Sequence, residues 1–202
     1  MVRVLAVADE ESASVQSSRV REQRPDVLVS AGDLSWDYLE QLAATFDVPA
    51  VLVPGNHDLR TGHGRPRGFV DGDGLVTEVA GLRIAGHGGC VRYNQGEHQY
   101  TQQEHERRAQ RLIEAAGGPV DVLLTHAPPF GLGDEPDDPP HRGIEALHGV
   151  IEALRPRWHL HGHIHPHGFA KPDRQVGGTT VRNVIPWQVV DVEPRSIERE
   201  AV

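Results

Sequence analysis

The sequence predicts a layered α/β fold, and three observations lead to that prediction. Short apolar runs recur along the chain, and stretches with helical spacing separate them. Alternation of strands and helices is typical of βαβ-type layers. The length of 202 residues, 38% of them hydrophobic, suits one core better than two. We therefore expect a single domain over residues 1–202.

The first half of the chain supplies three of the predicted strands and two of the predicted helices. The run Val2 to Ala8 is apolar apart from Arg3, as in a central strand that is buried on both faces. Residues 13–23 are polar with good helix formers and are predicted to be helical. The other elements predicted here are a strand over 27–30, a helix over 38–46, a strand over 50–53 and an exposed loop over 60–74.

The second half begins with a predicted hairpin and continues the alternation. Thr101 followed by Glu104 has the spacing of a capping box, which predicts that a helix begins there. The remaining predicted elements are hairpin strands over 75–79 and 82–85, strands over 120–125 and 158–160, a helix over 144–154, and final strands over 180–185 and 188–192.

Charge and cysteine content restrict the class of protein. The formal net charge of -9 argues against a nucleic-acid backbone or an anionic membrane as the main partner, because both attract clustered positive charge. The single cysteine, Cys90, excludes an internal disulfide and fits a reducing compartment. The opening stretch turns acidic before a segment of secretory or membrane-spanning length develops, so we expect a cytoplasmic protein.

Polar side chains with metal-binding chemistry follow the predicted strands. Such side chains point into the crevice where open α/β sheets bind ligands. Carboxylate, amide and imidazole ligands together suit manganese, iron or zinc, and the absence of cysteine argues against a structural zinc site. A pair of metals needs a bridging carboxylate, and Asp33 is the natural bridge. The candidate ligands are Asp9, Asp33, Asn56, His126, His163 and His165.

The order of these motifs carries a resemblance to a known family. Asp9, "GD" at 32–33, "GNHD" at 55–58, "TH" at 125–126 and "GHIH" at 162–165 resemble the calcineurin-like metallophosphoesterase superfamily. The resemblance implies a four-layer α-β-β-α sandwich of two mixed β-sheets, with a dinuclear metal site at the carboxyl edge of the strands. The loops resemble those of small phosphodiesterase-type members. "GDLSWD" lacks the arginine of the "GDxVDRG" motif of protein phosphatases, which disfavours a phosphoprotein substrate.

The resemblance also implies a role for each residue. It implies two divalent ions and attack on phosphorus by water or hydroxide that the ions hold; among manganese, iron and zinc, manganese is favoured if Glu11 supplies an oxygen ligand. His57 would be the general acid that protonates the leaving oxygen. Asp9 and His165 would bind the first ion, Asp33 would bridge, and Asn56, His126 and His163 would bind the second.

One departure from the family pattern leaves alternatives open. The family has Asp-x-His where this chain has "DEE", so Glu11 occupies the position of a metal-binding histidine. Glu11 either ligates the first ion through oxygen, which favours manganese or magnesium, or leaves that site weak. The expected function is hydrolysis of a small phosphodiester or phosphomonoester. The alternatives are a degenerate, weakly active member that serves as a protein-interaction module, and a nuclease.

Further candidates surround the predicted centre. Asp37 or Asp58 would orient His57, and the sequence does not choose between them. Arg60 and Arg142 lie in loops expected to rim the site, where a guanidinium would bind substrate phosphate. We expect a small phosphate ester as the partner and no membrane association. Nucleic acid is disfavoured as a partner.

Overall fold

Two mixed β-sheets face each other in the computed structural model, which describes residues 1–59, 64–169 and 171–195. The described strands are β1 (Val2–Val7), β2 (Val27–Ser30), β3 (Ala50–Leu52), β4 (Phe69–Asp71), β5 (Val76–Val79), β6 (Leu82–His87), β7 (Cys90–Val91), β8 (Gln99–Tyr100), β9 (Val122–Thr125), β10 (Trp158–His161), β11 (Arg174–Val176), β12 (Thr179–Asn183) and β13 (Trp187–Val192). The described α-helices are α1 (Ser18–Arg21), α2 (Trp36–Phe46), α3 (Gln102–Ala116) and α4 (Leu147–Leu154).

The first sheet has the order β13-β1-β2-β3-β4, and β1 to β4 run parallel. The second has the order β11-β12-β10-β9-β6-β5, with β12, β10, β9 and β6 parallel and an antiparallel strand at each edge. A small third sheet pairs β7 with β8. Parallel strands bring their carboxyl ends to one edge of a sheet, and this arrangement positions the site.

Alternate residues of the central strands pack in different layers. Val4 of β1 and Leu124 of β9 lie in the core between the two sheets. Leu5 of β1 packs with the buried face of α2, whereas Leu123 of β9 packs with Leu112 of α3 and with α4. Both faces of each central strand are therefore buried, which explains its continuous apolar run. The expected four-layer α-β-β-α sandwich is confirmed.

The two long helices begin at well-formed N-caps. The side chain of Ser35 accepts a hydrogen bond from the backbone N–H of Tyr38 at the start of α2. At the start of α3, Thr101 and Glu104 form both hydrogen bonds of the predicted capping box. None of the helices in the described ranges has the length and apolar character needed to span a membrane.

Two local predictions differ from the structure. Residues 13–23 form a 3-10 turn (Ala13–Gln16) followed by the short α1, because the extended backbone of Ser17 interrupts the helix. Serine side chains compete for local hydrogen bonds, and those of Ser12 and Ser14 bond to each other. The expected loop over 60–74 contains β4, which pairs with β3. Three residues are too few for a periodic pattern, so only the pairing partner reveals this strand.

Candidate metal centre

Five of the predicted ligands follow parallel strands at the edge where the two sheets meet. Three come from the first sheet and two from the second, so the centre joins both halves of the sandwich. They are Asp9 after β1, Asp33 after β2, Asn56 after β3, His126 after β9 and His163 after β10.

His126 lies at the middle of this group and is fully buried. Its Nε2 atom is 2.9 Å from Asn56 Oδ1, 3.1 Å from His163 Nδ1 and 3.3 Å from Asp33 Oδ2. One ligand atom from each of Asp9, Asp33 and His126 lies within 4.8 Å of the other two. Separate strands therefore bring four or more ligand atoms to one point.

Hydrogen bonds on the outer side of this group direct lone pairs inward. His126 Nδ1 lies 2.7 Å from the carbonyl oxygen of Ala31, and His163 Nε2 lies 2.8 Å from that of Pro140. Each ring nitrogen must donate its proton to that carbonyl, so the other nitrogen carries a lone pair in the neutral ring. The Asn56 amide donates to Tyr93 Oη, which leaves its oxygen facing His126. The nitrogen and oxygen atoms that face one another therefore carry no hydrogen, except when His126 is protonated.

Electrostatics at the centre favour a cation. Burial lowers the pKa of His126, but the facing carboxylate of Asp33 outweighs burial and raises it. Burial raises the pKa of Asp33, but His126 and a hydrogen bond from the backbone N–H of His57 outweigh burial and lower it. Burial lowers the pKa of His163 to about 3, so this ring stays neutral. The surroundings of His126 Nε2 therefore stabilise positive charge, and a metal ion can take the place of a proton at such a position. The residues present fit a divalent metal.

Asp9 adds a second buried carboxylate with a different environment. Burial raises the pKa of Asp9 to about 6, against an opposing effect of His126. The side chain is 3% exposed, and its Oδ2 atom accepts a hydrogen bond of 2.9 Å from the backbone N–H of His163. A buried carboxylate with an elevated pKa gains more from a nearby cation than an exposed one does.

The backbone is strained at three of the ligands. Asp9, Asp33 and His163 have φ of 60°, 58° and 67°, a region that residues with side chains rarely occupy. Two of them are centres of γ-turns, because Glu10 N–H donates to the carbonyl of Ala8 and Ile164 N–H donates to that of Gly162. Such strain persists only where surrounding contacts enforce it, and it is concentrated at functional sites.

Two glycines of the motifs are required by close approach. A Cβ atom at Gly55 would lie 2.0 Å from Asp33 Oδ1, and one at Gly162 would lie 2.1 Å from Asp9 Oδ2. Neither position therefore has room for a side chain while the carboxylate keeps its place. The glycines of "GNHD" and "GHIH" give the two carboxylates their space.

A family model for calcineurin-like phosphoesterases matches residues 9–167. The chain belongs to the calcineurin-like phosphoesterase family. This match contains every motif on which the resemblance rested, and the family is one of phosphoesterases that bind divalent metals. The matched range includes all five converging residues.

Two relatives in Caenorhabditis elegans carry no established activity in their names. A UPF0046 protein of Caenorhabditis elegans is 27% identical over 164 residues, which cover 69% of this chain and 56% of that protein. A second UPF0046 protein of the same species is 49% identical over 47 residues, which cover 23% of this chain and 12% of that protein. The chain thus spans about half the length of one relative and less of the other.

Solved structures share the fold at low sequence identity. The crystal structure of TT1561 of Thermus thermophilus has a TM-score of 0.61 at 16% identity and covers 90% of this chain and 88% of that chain. GAP50, the anchor in the inner membrane complex of Plasmodium, has a TM-score of 0.53 at 13% identity, with 90% of this chain and 71% of that chain covered. These likenesses show the phosphoesterase fold and nothing finer.

The remaining predicted ligands lie at the edge of the centre. His165 is half-exposed, with Nε2 4.0 Å from Asp9 Oδ1 and Nδ1 2.9 Å from Glu10 Oε1. Glu11 is exposed, and its Oε1 atom accepts a hydrogen bond of 2.5 Å from Ser35 Oγ. Within the described residues, no hydrogen bond or ion pair joins Glu11 to Asp9 or His165. Ligation by Glu11 stays a prediction.

The predicted catalytic histidine lies at the mouth of the centre. His57 is exposed, and its backbone N–H donates to Asp33 Oδ1 over 2.8 Å. No hydrogen bond or ion pair joins Asp58 to the His57 ring among the described residues; its Oδ2 atom accepts from the backbone N–H groups of Asp33 and Gly55. Asp58 therefore holds the two strand ends together beneath His57. Asp37 is exposed on the first turn of α2.

The two predicted phosphate-binding arginines have separate outcomes. Arg142 is exposed and lies over the Phe130 ring, 5.9 Å from its centroid. Arg60 lies outside the described residues. Arg142 thus has no described contact with the metal ligands, and its role in substrate binding stays a prediction.

Three contacts of the centre were not predicted from the sequence. Glu10 pairs with His165, Tyr93 receives the Asn56 amide, and the Pro140 carbonyl receives His163. The doubled glutamate of "DEE" was a signal for Glu10, although spacing drew attention to Glu11. No local pattern marked the other two, because their partners lie 23 and 37 positions away.

Proposed function

We propose that this chain is a metal-dependent phosphoesterase that hydrolyses a small phosphodiester or phosphomonoester. One observation carries the proposal: Asp33, Asn56, His126 and His163 direct acceptor atoms to a single point, with distances of 2.9 to 3.3 Å around His126 Nε2. A protein gains nothing from converging acceptors unless a cation lies among them. The family to which the chain belongs supports the reaction class.

Two divalent ions fit the donor set, with Asp33 shared between them. Asn56, His126 and His163 would complete the inner position, and Asp9 with His165 the outer one. Carboxylate and amide oxygens beside imidazole suit manganese, iron or zinc, and the glutamates after Asp9 add negative charge that favours manganese. When bound, the ions would neutralise phosphate charge and lower the pKa of the attacking water.

Glu10 would support the outer position. A histidine ligand keeps its lone pair toward a metal when its other nitrogen donates to a carboxylate. His165 Nδ1 lies 2.9 Å from Glu10 Oε1, and Nε2 is the atom on the Asp9 side. Glu10 therefore holds His165 in the orientation that a ligand needs.

His57 would supply the proton for the leaving oxygen. Its exposed ring stands at the mouth of the centre, and the hydrogen bond from its backbone to Asp33 fixes where the ring emerges. Imidazole is suited to this task near neutral pH. Asp33 thereby couples the proton donor to the metal-binding residues.

The test is hydrolysis of bis-p-nitrophenyl phosphate and p-nitrophenyl phosphate by metal-stripped protein that is titrated with manganese. We expect turnover to rise with manganese and to be lost in Asn56→Ala. Asn94→Ala is the matched control, because Asn94 is exposed and its side chain bonds, among the described residues, only to the Gly96 N–H of its own loop. Turnover that survives chelation and Asn56→Ala contradicts the proposal. Absence of turnover with any divalent metal favours the interaction module.

A further inference from the structure

A groove of about 450 Å³ opens beside the proposed phosphate position. His57 and Asp33 line it at the end nearest the metal ligands, and the first turn of α2 lines it along one side. The volume lies within the range that small-molecule sites occupy. The groove is lined by Asp33, Leu34, Ser35, Trp36, Asp37, His57, Asp58 and Leu59.

Two apolar side chains in this groove face solvent in an otherwise acidic region. Leu59 is 60% exposed, and Trp36 is partly buried at the first position of α2. Trp36 and Leu59 also line a neighbouring cavity, so both side chains form the wall between two open spaces. An indole and an isobutyl group exposed beside a charged centre mark a surface for an apolar part of a ligand.

A carboxylate with no partner lies next to Trp36. Asp37 is exposed, lines the same groove and has no hydrogen bond or ion pair with any residue that the structure describes. The carboxylates of Asp33 and Asp58, by contrast, are occupied by backbone N–H groups. Asp37 is thus available to accept a hydrogen bond from a ligand.

We propose that this groove binds the leaving group of the substrate, and that it takes a planar aromatic group bearing a hydrogen-bond donor, such as a nucleobase. Trp36 would contact the ring, Leu59 its edge, and Asp37 an exocyclic amine. The inference rests on the proposed function, because the leaving group is defined by the bond that breaks. Water supplies the oxygen that bonds to phosphorus, and the bond between phosphorus and the leaving oxygen breaks. The leaving oxygen then takes the proton from His57.

The position of the groove relative to His57 supports this assignment. His57 is the proposed proton donor to the leaving oxygen, so the group attached to that oxygen must lie on its side of the centre. Trp36, Asp37 and Leu59 line the same groove as His57. Stacking on one aromatic side chain strengthens binding of a base about 10-fold or more.

The test compares adenosine 5′-monophosphate with ribose 5-phosphate, which lacks the base, in binding to manganese-loaded protein by calorimetry. We expect the adenosine compound to bind about 10-fold more tightly to the wild type. Trp36→Ala should remove this difference, and Trp36→Phe should keep most of it. Trp187→Phe is the control, because Trp187 bonds to Ser14 and does not line the groove.

Asp37 has its own test with the same method. Asp37→Asn should weaken adenosine 5′-monophosphate, but not purine riboside 5′-monophosphate, which lacks the exocyclic amine. The inference is overturned if adenosine 5′-monophosphate and ribose 5-phosphate bind the wild type with equal affinity. It is also overturned if Trp36→Ala weakens the binding of both compounds equally. Ester hydrolysis with no preference for the base would leave the phosphoesterase proposal standing and remove this one alone. A base preference in a protein without turnover would show that the groove binds a base and would overturn its role as a leaving-group site together with the phosphoesterase proposal.

Discussion

Adding one methyl group at Gly162 tests how tightly the centre is built. The new Cβ atom would lie 2.1 Å from Asp9 Oδ2 and 2.7 Å from the Cβ atom of Ala8. Carbon atoms in contact keep about 3.5 to 4.0 Å between them, so the carboxylate of Asp9 must move by about 1 Å or more. Gly162→Ala therefore displaces a metal ligand without altering any ligand residue.

The cost follows from the contacts of Asp9. Moving the carboxylate weakens the hydrogen bond from His163 N–H, now 2.9 Å, and a hydrogen bond to a charged group contributes about 1.5 to 3 kcal/mol. Crowding a packed site costs about 1 to 3 kcal/mol more. We expect Gly162→Ala to lower the free energy of unfolding by about 3 kcal/mol or more, and to weaken manganese binding about 10- to 100-fold.

Urea unfolding of metal-stripped protein, followed by circular dichroism, measures the first effect, and calorimetric titration with manganese measures the second. Gly149→Ala is the matched control. It lies inside α4, a Cβ atom there would meet nothing within 4 Å, and alanine should stabilise the helix by about 1 kcal/mol. If Gly162→Ala unfolds within about 0.5 kcal/mol of the wild type and binds manganese normally, the packing argument is refuted.

Three further predictions concern the ligands and their supports. In the metal-stripped protein, burial raises the pKa of Asp9 from 3.8 to about 6, so its contribution to stability is full below about pH 4 and is lost as pH rises through about 6. Asp9→Asn should therefore stabilise the metal-stripped protein at pH 7 by up to about 3 kcal/mol; an unchanged pH dependence of urea unfolding contradicts this. Glu10→Gln should weaken manganese binding about 10-fold and more than Glu11→Gln does; the opposite order in calorimetry places the ligand at Glu11, as the sequence spacing predicts. His126→Ala should reduce the calorimetric stoichiometry by at least one ion per chain, and full stoichiometry would remove His126 from the ligand set.

The sequence by itself determined the layered α/β class and the candidate ligands, and the family resemblance added the four-layer arrangement. Each central strand is an apolar run, because its two faces pack in different layers, and each run ends at a polar motif. Parallel strands of one sheet bring such ends together, so Asp33 and Asn56 could be assigned to one centre before their contacts were known, whereas His126 follows a strand of the other sheet and was assigned through the family resemblance. Local patterns sufficed to locate these strands, because a strand that is buried on both faces is a continuous apolar run in the sequence.

Only the tertiary structure decided which side chains support those ligands. Spacing from Asp9 pointed to Glu11, but the γ-turn at Asp9, with φ of 60°, reverses the chain after the strand and brings Glu10 to His165. A strand pattern fixes the direction of a side chain only while the backbone stays extended, and the residue type does not reveal where a left-handed turn ends that pattern. The contact of Asn56 with Tyr93 likewise depends on packing between distant segments, which no local rule encodes.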